Sequence, residues 1–139
     1  AQPYCVVFLT VHAAGSRSIL CTDTCGPIIV ECLKTGCEIN GLDLIAYCLM
    51  PDHLHIVLMT EPGSELQKYL SGLKWATSRK LRAAGIADSI WQRSYWDRHH
   101  RDDEDVHHMI RYVMENPLRK GLCQQPEEWR FSEYFGLPQ

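Results

Sequence analysis

Apolar residues run together over Val6 to His12, Leu42 to Met50 and Leu54 to Thr60, each stretch rich in β-branched or aromatic side chains, which predicts three strands. Pro51-Asp52 is a turn dipeptide between the last two, so they are expected to pair as an antiparallel hairpin. Elsewhere the apolar period changes to three and four residues. Leu66, Leu70, Leu73, Thr77 and Leu81 make one face of a helix from Glu65 to about Ala84, with Ser64 placed to cap it and Gly85 to end it. Val106, Met109, Ile110 and Val113 make the buried stripe of another, which starts in the acidic run Asp102-Asp103-Glu104-Asp105 and is stopped by Pro117. Thr24 to Leu33 predicts a shorter helix, with Thr24 as N-cap, Pro27 in the first turn and Gly36 just beyond its end. Ile90 to Arg98 is aromatic enough for a fourth strand, and Trp129, Phe131, Tyr134 and Phe135 are expected to pack back on the domain.

The order β, α, β, β, α, β, followed by one more helix, is that of a ferredoxin-like α+β sandwich. The expectation is one domain over residues 1–139, with an antiparallel sheet whose central pair is the hairpin and helices packed on one face. A length of 139 residues suffices to bury about two-thirds of the unfolded chain's surface around one core.

His53 and His55 stand at the start of the hairpin's second strand. Residues i and i+2 of a strand project from the same face, so the two imidazoles stand side by side at a spacing that suits one metal ion, while Leu54 turns into apolar packing. Two hydrogen-bonded structural histidines are the other reading of the same spacing. Tyr112 and Asn116 lie four residues apart on the last helix, one turn from each other on one face, with His108 a turn earlier. If that face meets the His strand, a phenol, an amide and two imidazoles converge; otherwise Tyr112 is a core aromatic and Asn116 a helix terminator. His99, His100, His107 and His108 read as solvated.

The net charge of −3 argues against an anionic partner, but its distribution reverses the argument. Residues 1–65 carry two basic and seven acidic side chains; residues 66–139 carry twelve and ten, so any anion is expected to meet the C-terminal half. The seven cysteines are odd in number and lack paired Cys-x-x-Cys spacing; Cys21, Cys25, Cys32 and Cys37 crowd together at spacings that fit no zinc pattern, so scattered thiols in a reduced compartment are expected. No stretch of about eighteen apolar residues occurs and the start, Ala1-Gln2-Pro3-Tyr4, is not that of a signal peptide, so a soluble, cytoplasmic protein is expected, trimmed at an N-terminus that lacks Met.

Three strings in order, Met50-Pro51-Asp52-His53-Leu54-His55-Ile56-Val57-Leu58, Trp91-Gln92-Arg93-Ser94-Tyr95-Trp96-Asp97-Arg98 and Ile110 to Leu122 with Tyr112, Asn116, Pro117 and Gly121, closely resemble the REP-associated tyrosine transposases, members of the single-tyrosine HUH, or IS200-like, transposase superfamily. The likeness extends to the tail Trp129-Arg130-Phe131-Ser132-Glu133-Tyr134. It implies that the HUH pair is His53 and His55, that Tyr112 on a C-terminal catalytic helix is the nucleophile, and that Asn116 completes a site for Mg²⁺ or Mn²⁺, with Glu115 as the neighbouring alternative. It implies cleavage and rejoining of single-stranded DNA beside palindromic hairpins through a 5′-phosphotyrosine, by a monomer or a helix-swapped homodimer. Lys74, Arg79, Lys80, Arg82, Arg93, Arg119 and Lys120 are the candidate DNA contacts, and Trp91, Tyr95 and Trp96 candidate stacking platforms, although Trp91 also fits a core.

Two departures from the family pattern stand out: the acidic balance, and residues 13–26, which lack a basic loop. They leave a catalytically silent hairpin-DNA-binding regulator on the same fold as the alternative. A histidine-triad nucleotide hydrolase would need a further His at position 57, which is Val.

Overall fold

The structure is a computed structural model, described here for residues 5–61, 65–86, 89–100 and 103–137. Its strands are β1 (Cys5–Ala13), β2 (Asp43–Leu49), β3 (His53–Thr60), β4 (Trp91–His100) and β5 (Ser132–Tyr134); its helices are α1 (Cys25–Ile39), α2 (Leu66–Ala83), α3 (Asp103–Met114) and α4 (Asn116–Arg119). The strands form one sheet in the order β4-β1-β3-β2-β5, every neighbouring pair antiparallel. This is the expected α+β sandwich with one strand added. The hairpin exists as read, its two-residue turn closed by Met50 N–H donating to the His53 carbonyl at 2.8 Å. It lies at the centre of the sheet, although not alone there: β3 is the middle strand, and β1 and β2 flank it on either side.

Each side of the sheet has its own core. Alternation along β3 sends Leu54, Ile56 and Leu58 toward α1 and α2, where they join Leu9, Val11, Ile29, Leu33, Leu70 and Leu81. The opposite side gathers Val6, Phe8, Ala46, Cys48 and Val57 beneath Val106, Ile110 and Val113 of α3, the stripe that the three- and four-residue spacing predicts. Burial of each such side chain contributes roughly 1.5–3 kcal/mol before entropy is counted.

The helix ends differ instructively from expectation. Helix α1 runs past Gly36, where a Cβ would stand 3.2 Å from the Tyr69 ring. Gly36 is therefore where α1 and α2 approach, and the chain leaves the helix at Gly41, whose φ of +63° an L-residue tolerates poorly. At the other end Thr24 makes no side-chain cap; the Thr22 hydroxyl accepts from Cys25 N–H at 3.1 Å instead. Gly85, with φ +95°, does end α2, and the Ser64 cap lies outside the described residues. Pro117 does end α3, whose last residue is Met114. It also occupies the first turn of α4, where a missing N–H costs no hydrogen bond.

The tail packs as expected in part. Trp129 Nε1–H donates to the Leu49 carbonyl at 2.9 Å and Phe131 is buried, whereas Tyr134 and Phe135 remain about half exposed. Glu133 of β5 takes hydrogen bonds from Tyr47 and Lys34, tying the added strand to β2 and α1. Gly26 lies under the Phe131 ring, which would come within 2.4 Å of an added Cβ. Gly26→Ala is therefore expected to destabilise the protein by about 1–3 kcal/mol through overpacking. Thermal unfolding measures it, and in a Phe131→Leu background the same substitution should cost measurably less.

Candidate active site

The two histidines of β3 lie on the α3 side of the sheet, with Leu54 buried on the other. Their Nε2 atoms face each other at 3.1 Å, the rings meeting edge to face at a centroid separation of 4.7 Å. What holds them is on the far side of each ring. Asp52, the last residue of the hairpin turn, accepts from His53 Nδ1–H at 2.7 Å. A carboxylate can only accept, so the proton is on Nδ1 and Nε2 carries a bare lone pair. The Thr10 hydroxyl meets His55 Nδ1 at 3.0 Å and holds that ring, serving either tautomer because a hydroxyl both donates and accepts.

Register explains these partners. Thr10 pairs with His55 and His12 with His53 across the β1–β3 ladder, which brings the His12 and His53 rings to 5.6 Å. Sequence spacing alone does not reveal Thr10 or His12, because their proximity depends on strand pairing. Asp52 was visible in the sequence but only as a turn residue.

Electrostatics keep both imidazoles neutral near pH 7. Burial lowers the pKa of His53, and the Asp52 hydrogen bond only partly offsets it. His55 is pushed down to about 3, first by burial and then by the nearby His53, His12 and Arg119. Asp52, despite its partial burial, is held below the usual carboxylate range by the hydrogen bond and charge of His53.

Helix α4 delivers the third group. Asn116 is 5% exposed, and a polar side chain so buried requires a partner. Its amide nitrogen lies 3.2 Å from His53 Nε2. Rotation of the amide by half a turn puts its oxygen in the same place, so three neutral donors converge on one point. The two Nε2 atoms lie 3.1 Å apart with the Asn116 amide beside them, and a donor set of two imidazole nitrogens and one amide oxygen fits a divalent ion. Of the pair Glu115 and Asn116, it is Asn116 whose side chain reaches the histidines. Among the described residues no group of three His, Cys, Asp or Glu side chains is arranged to hold a metal; the third member here is an amide.

Tyr112 stands one helical turn before Asn116 on the same face and is 51% exposed, so it is not a core aromatic. Arg119, two turns further on, lays its guanidinium over the Tyr112 ring, 3.8 Å from Cζ to centroid. Its charge and that of Lys120 disfavour protonation of His55 and His53 respectively, so both cations sit within electrostatic reach of the pair.

The remaining candidates are distributed differently from expectation. The Lys74 ammonium donates to the carbonyls of Gln92 and Arg93 at 2.7 and 3.0 Å. It is a tie between α2 and β4 rather than an open phosphate contact. Arg79, Lys80 and Arg82 line the outer side of α2, with the whole sheet between them and the histidines; Lys80 pairs with Glu31 at 3.5 Å. Beside them Trp75, which the sequence reading did not single out, is 65% exposed and carries the Arg79 guanidinium 5.4 Å from its ring. Arg93 is exposed. Trp91 is core, donating to the Thr77 hydroxyl at 2.7 Å, and Tyr95 is partly buried against the same cluster. The side chains of Trp96, His99 and His100 lie outside the described residues, whereas His107 and His108 are exposed. Cys21 and Cys37 are thiols bonded to the Leu49 carbonyl and the Tyr69 hydroxyl.

Comparison with known proteins bears on the family and the fold. The family model described as "Transposase IS200 like" matches residues 5–116. A Haemophilus influenzae protein named "Putative REP-associated tyrosine transposase" is 27% identical over 112 residues, which cover 73% of this chain and 64% of the relative. The chain thus spans somewhat under two-thirds of that relative's length. The Escherichia coli REP-associated tyrosine transposase is 24% identical over 127 residues, covering 91% of this chain and 74% of that protein. In three dimensions the chain superimposes on a REP-associated tyrosine transposase solved with a REP hairpin, with a TM-score of 0.79 at 23% identity, over 95% of this chain and 77% of the other.

Proposed function

The chain belongs to the IS200-like transposase family, and on that premise we propose that it is a divalent-metal-dependent endonuclease and strand transferase for single-stranded DNA next to palindromic hairpins, acting through a 5′-phosphotyrosine at Tyr112. The observation that carries this reading is the convergence of His53 Nε2, His55 Nε2 and the Asn116 amide on one point, one helical turn from an exposed tyrosine.

Mg²⁺ or Mn²⁺ bound by His53, His55 and Asn116 would supply positive charge against the negative charge that builds on a phosphate during displacement. The protein's own groups do the rest. Asp52 keeps the His53 Nε2 lone pair bare, and Asp52 and Thr10 together fix the two rings, so the site is formed before substrate arrives. Arg119 and Lys120 make the surroundings cationic, which attracts the DNA backbone. Tyr112 Oη attacks phosphorus in line and gives up its proton, the new O–P bond forms, and the bond from phosphorus to the 3′ oxygen breaks. The products are a 5′-phosphotyrosine and a free 3′-OH. Because one phosphodiester replaces another, a 3′-OH can attack the phosphotyrosine and rejoin strands without ATP.

The hairpin held by the solved relative supports hairpin DNA as the ligand class. No helix among the described residues is long and apolar enough to cross a membrane; a DNA substrate supports the cytoplasm as the proposed compartment.

The test uses labelled hairpin DNA with a single-stranded flank. With Mg²⁺ or Mn²⁺ an adduct that survives SDS is expected, and EDTA should suppress it. Hairpin binding that is unchanged by EDTA, with no cleavage under either metal, would establish the silent regulator instead.

A further inference from the structure

We propose that Arg119 is a positioning residue that holds the Tyr112 ring in its attacking orientation; this rests on Tyr112 being the nucleophile. Half-exposed tyrosines on helices are ordinarily free to change rotamer, and a nucleophile that must approach phosphorus in line loses rate by doing so. Here one side chain grips the residue twice. The guanidinium plane lies on the ring at 3.8 Å, well inside the range of about 6 Å for cation–π contact, and Nη2–H of the same group donates to the Tyr112 carbonyl.

The grip follows from helical spacing that is carried through Glu115, whose dihedrals stay in the right-handed helical region. Tyr112, Asn116 and Arg119 are spaced at i, i+4 and i+7, so they share one face, and side chains of a helix lean toward its N-terminus. Arg119 thus folds back over Tyr112, while Asn116 between them reaches down to His53. One helical stripe carries the nucleophile, its clamp and a member of the metal site. The restart at Pro117 keeps that stripe in phase.

A phosphate contact needs only the charge of Arg119, whereas a clamp needs the flat, forked guanidinium, so Arg119→Lys separates the two. Single-turnover adduct formation at saturating hairpin DNA and Mn²⁺ is expected to fall about 10- to 100-fold in Arg119→Lys, with the DNA dissociation constant within about threefold of wild type. The second readout needs no turnover. In the DNA-free protein, NMR should show a contact between the Arg119 guanidinium protons and the Tyr112 ring, and the ring resonances, identified with Tyr112→Phe, should move in Arg119→Lys.

Full rate in Arg119→Lys, or rate and affinity falling together, overturns the proposal. So do ring resonances that do not move. A wild-type protein that forms no adduct would instead overturn the transposase reading itself.

Discussion

Tyr112→Phe is expected to abolish the covalent protein–DNA adduct while leaving the fold, metal binding and hairpin binding in place. Only the phenolic oxygen is removed, and at a position half exposed to solvent that change should alter stability by no more than about 0.5 kcal/mol. The Phe ring also keeps the contact with Arg119, because the cation meets the ring face rather than the hydroxyl. A loss of adduct in this variant therefore reports the missing nucleophile and nothing else. Denaturing gels after incubation with Mn²⁺ and labelled hairpin DNA give the result directly, and circular dichroism and a binding isotherm on the same preparation show that the rest is intact. Adduct at wild-type yield would remove Tyr112 from its role.

His55→Ala is expected to produce the second large effect, in two measurements. The first is metal binding. With one of three donors gone, titration calorimetry with Mn²⁺ should show affinity reduced by at least about 100-fold, since loss of a mere hydrogen-bond partner of a ligand already costs 10- to 100-fold. The second is the pH dependence of stability without metal. His55 has its pKa pushed down to about 3 from an ordinary value of 6.5. Between those limits the unfolded chain takes up a proton that the folded protein does not, so stability must fall as pH falls from about 6.5 toward 3. Asp52 titrates below 3.8 and Glu133 below 4.5, so the window from pH 6.5 to about 4.5 belongs chiefly to the histidines. In that window the melting temperature of the wild type should decline on acidification, and that of His55→Ala should decline less. Equal slopes would mean that His55 is not buried neutral.

Much of this site was legible in the sequence because its key spacings are local. His53 and His55 share a strand face by their separation of two, and Tyr112 and Asn116 a helix face by their separation of four; no tertiary knowledge is needed for either. What joins the two faces is tertiary, and the polar positions that hold the histidines could not be read along the chain. Thr10 and His12 acquire meaning only through the β1–β3 register. Lys74 illustrates the converse, since a lysine on a polar helix face looks solvated until β4 places two carbonyls beside it. Strand β5 was missed because three residues on a sheet edge, Ser132 to Tyr134, carry no alternation of their own. Gly36 differs from expectation because a helix breaker by habit here lies inside α1, where it allows the close approach to Tyr69; Pro117 ends α3 as expected and also opens α4.

The separation of the two cores has a consequence for motion. Helices α1 and α2 seal one side of the sheet with most of the large buried side chains, whereas α3 is fastened to the other through the short stripe Val106, Ile110 and Val113. Regions held by few buried contacts open at lower free energy than the whole domain unfolds. The helix that bears Tyr112 is thus the element that can lift from its seat and return while the histidines, anchored in the middle strand, stay where they are. Attachment of a DNA strand to that helix would then leave the strand on a portion of the molecule that is held by the smaller of the two cores.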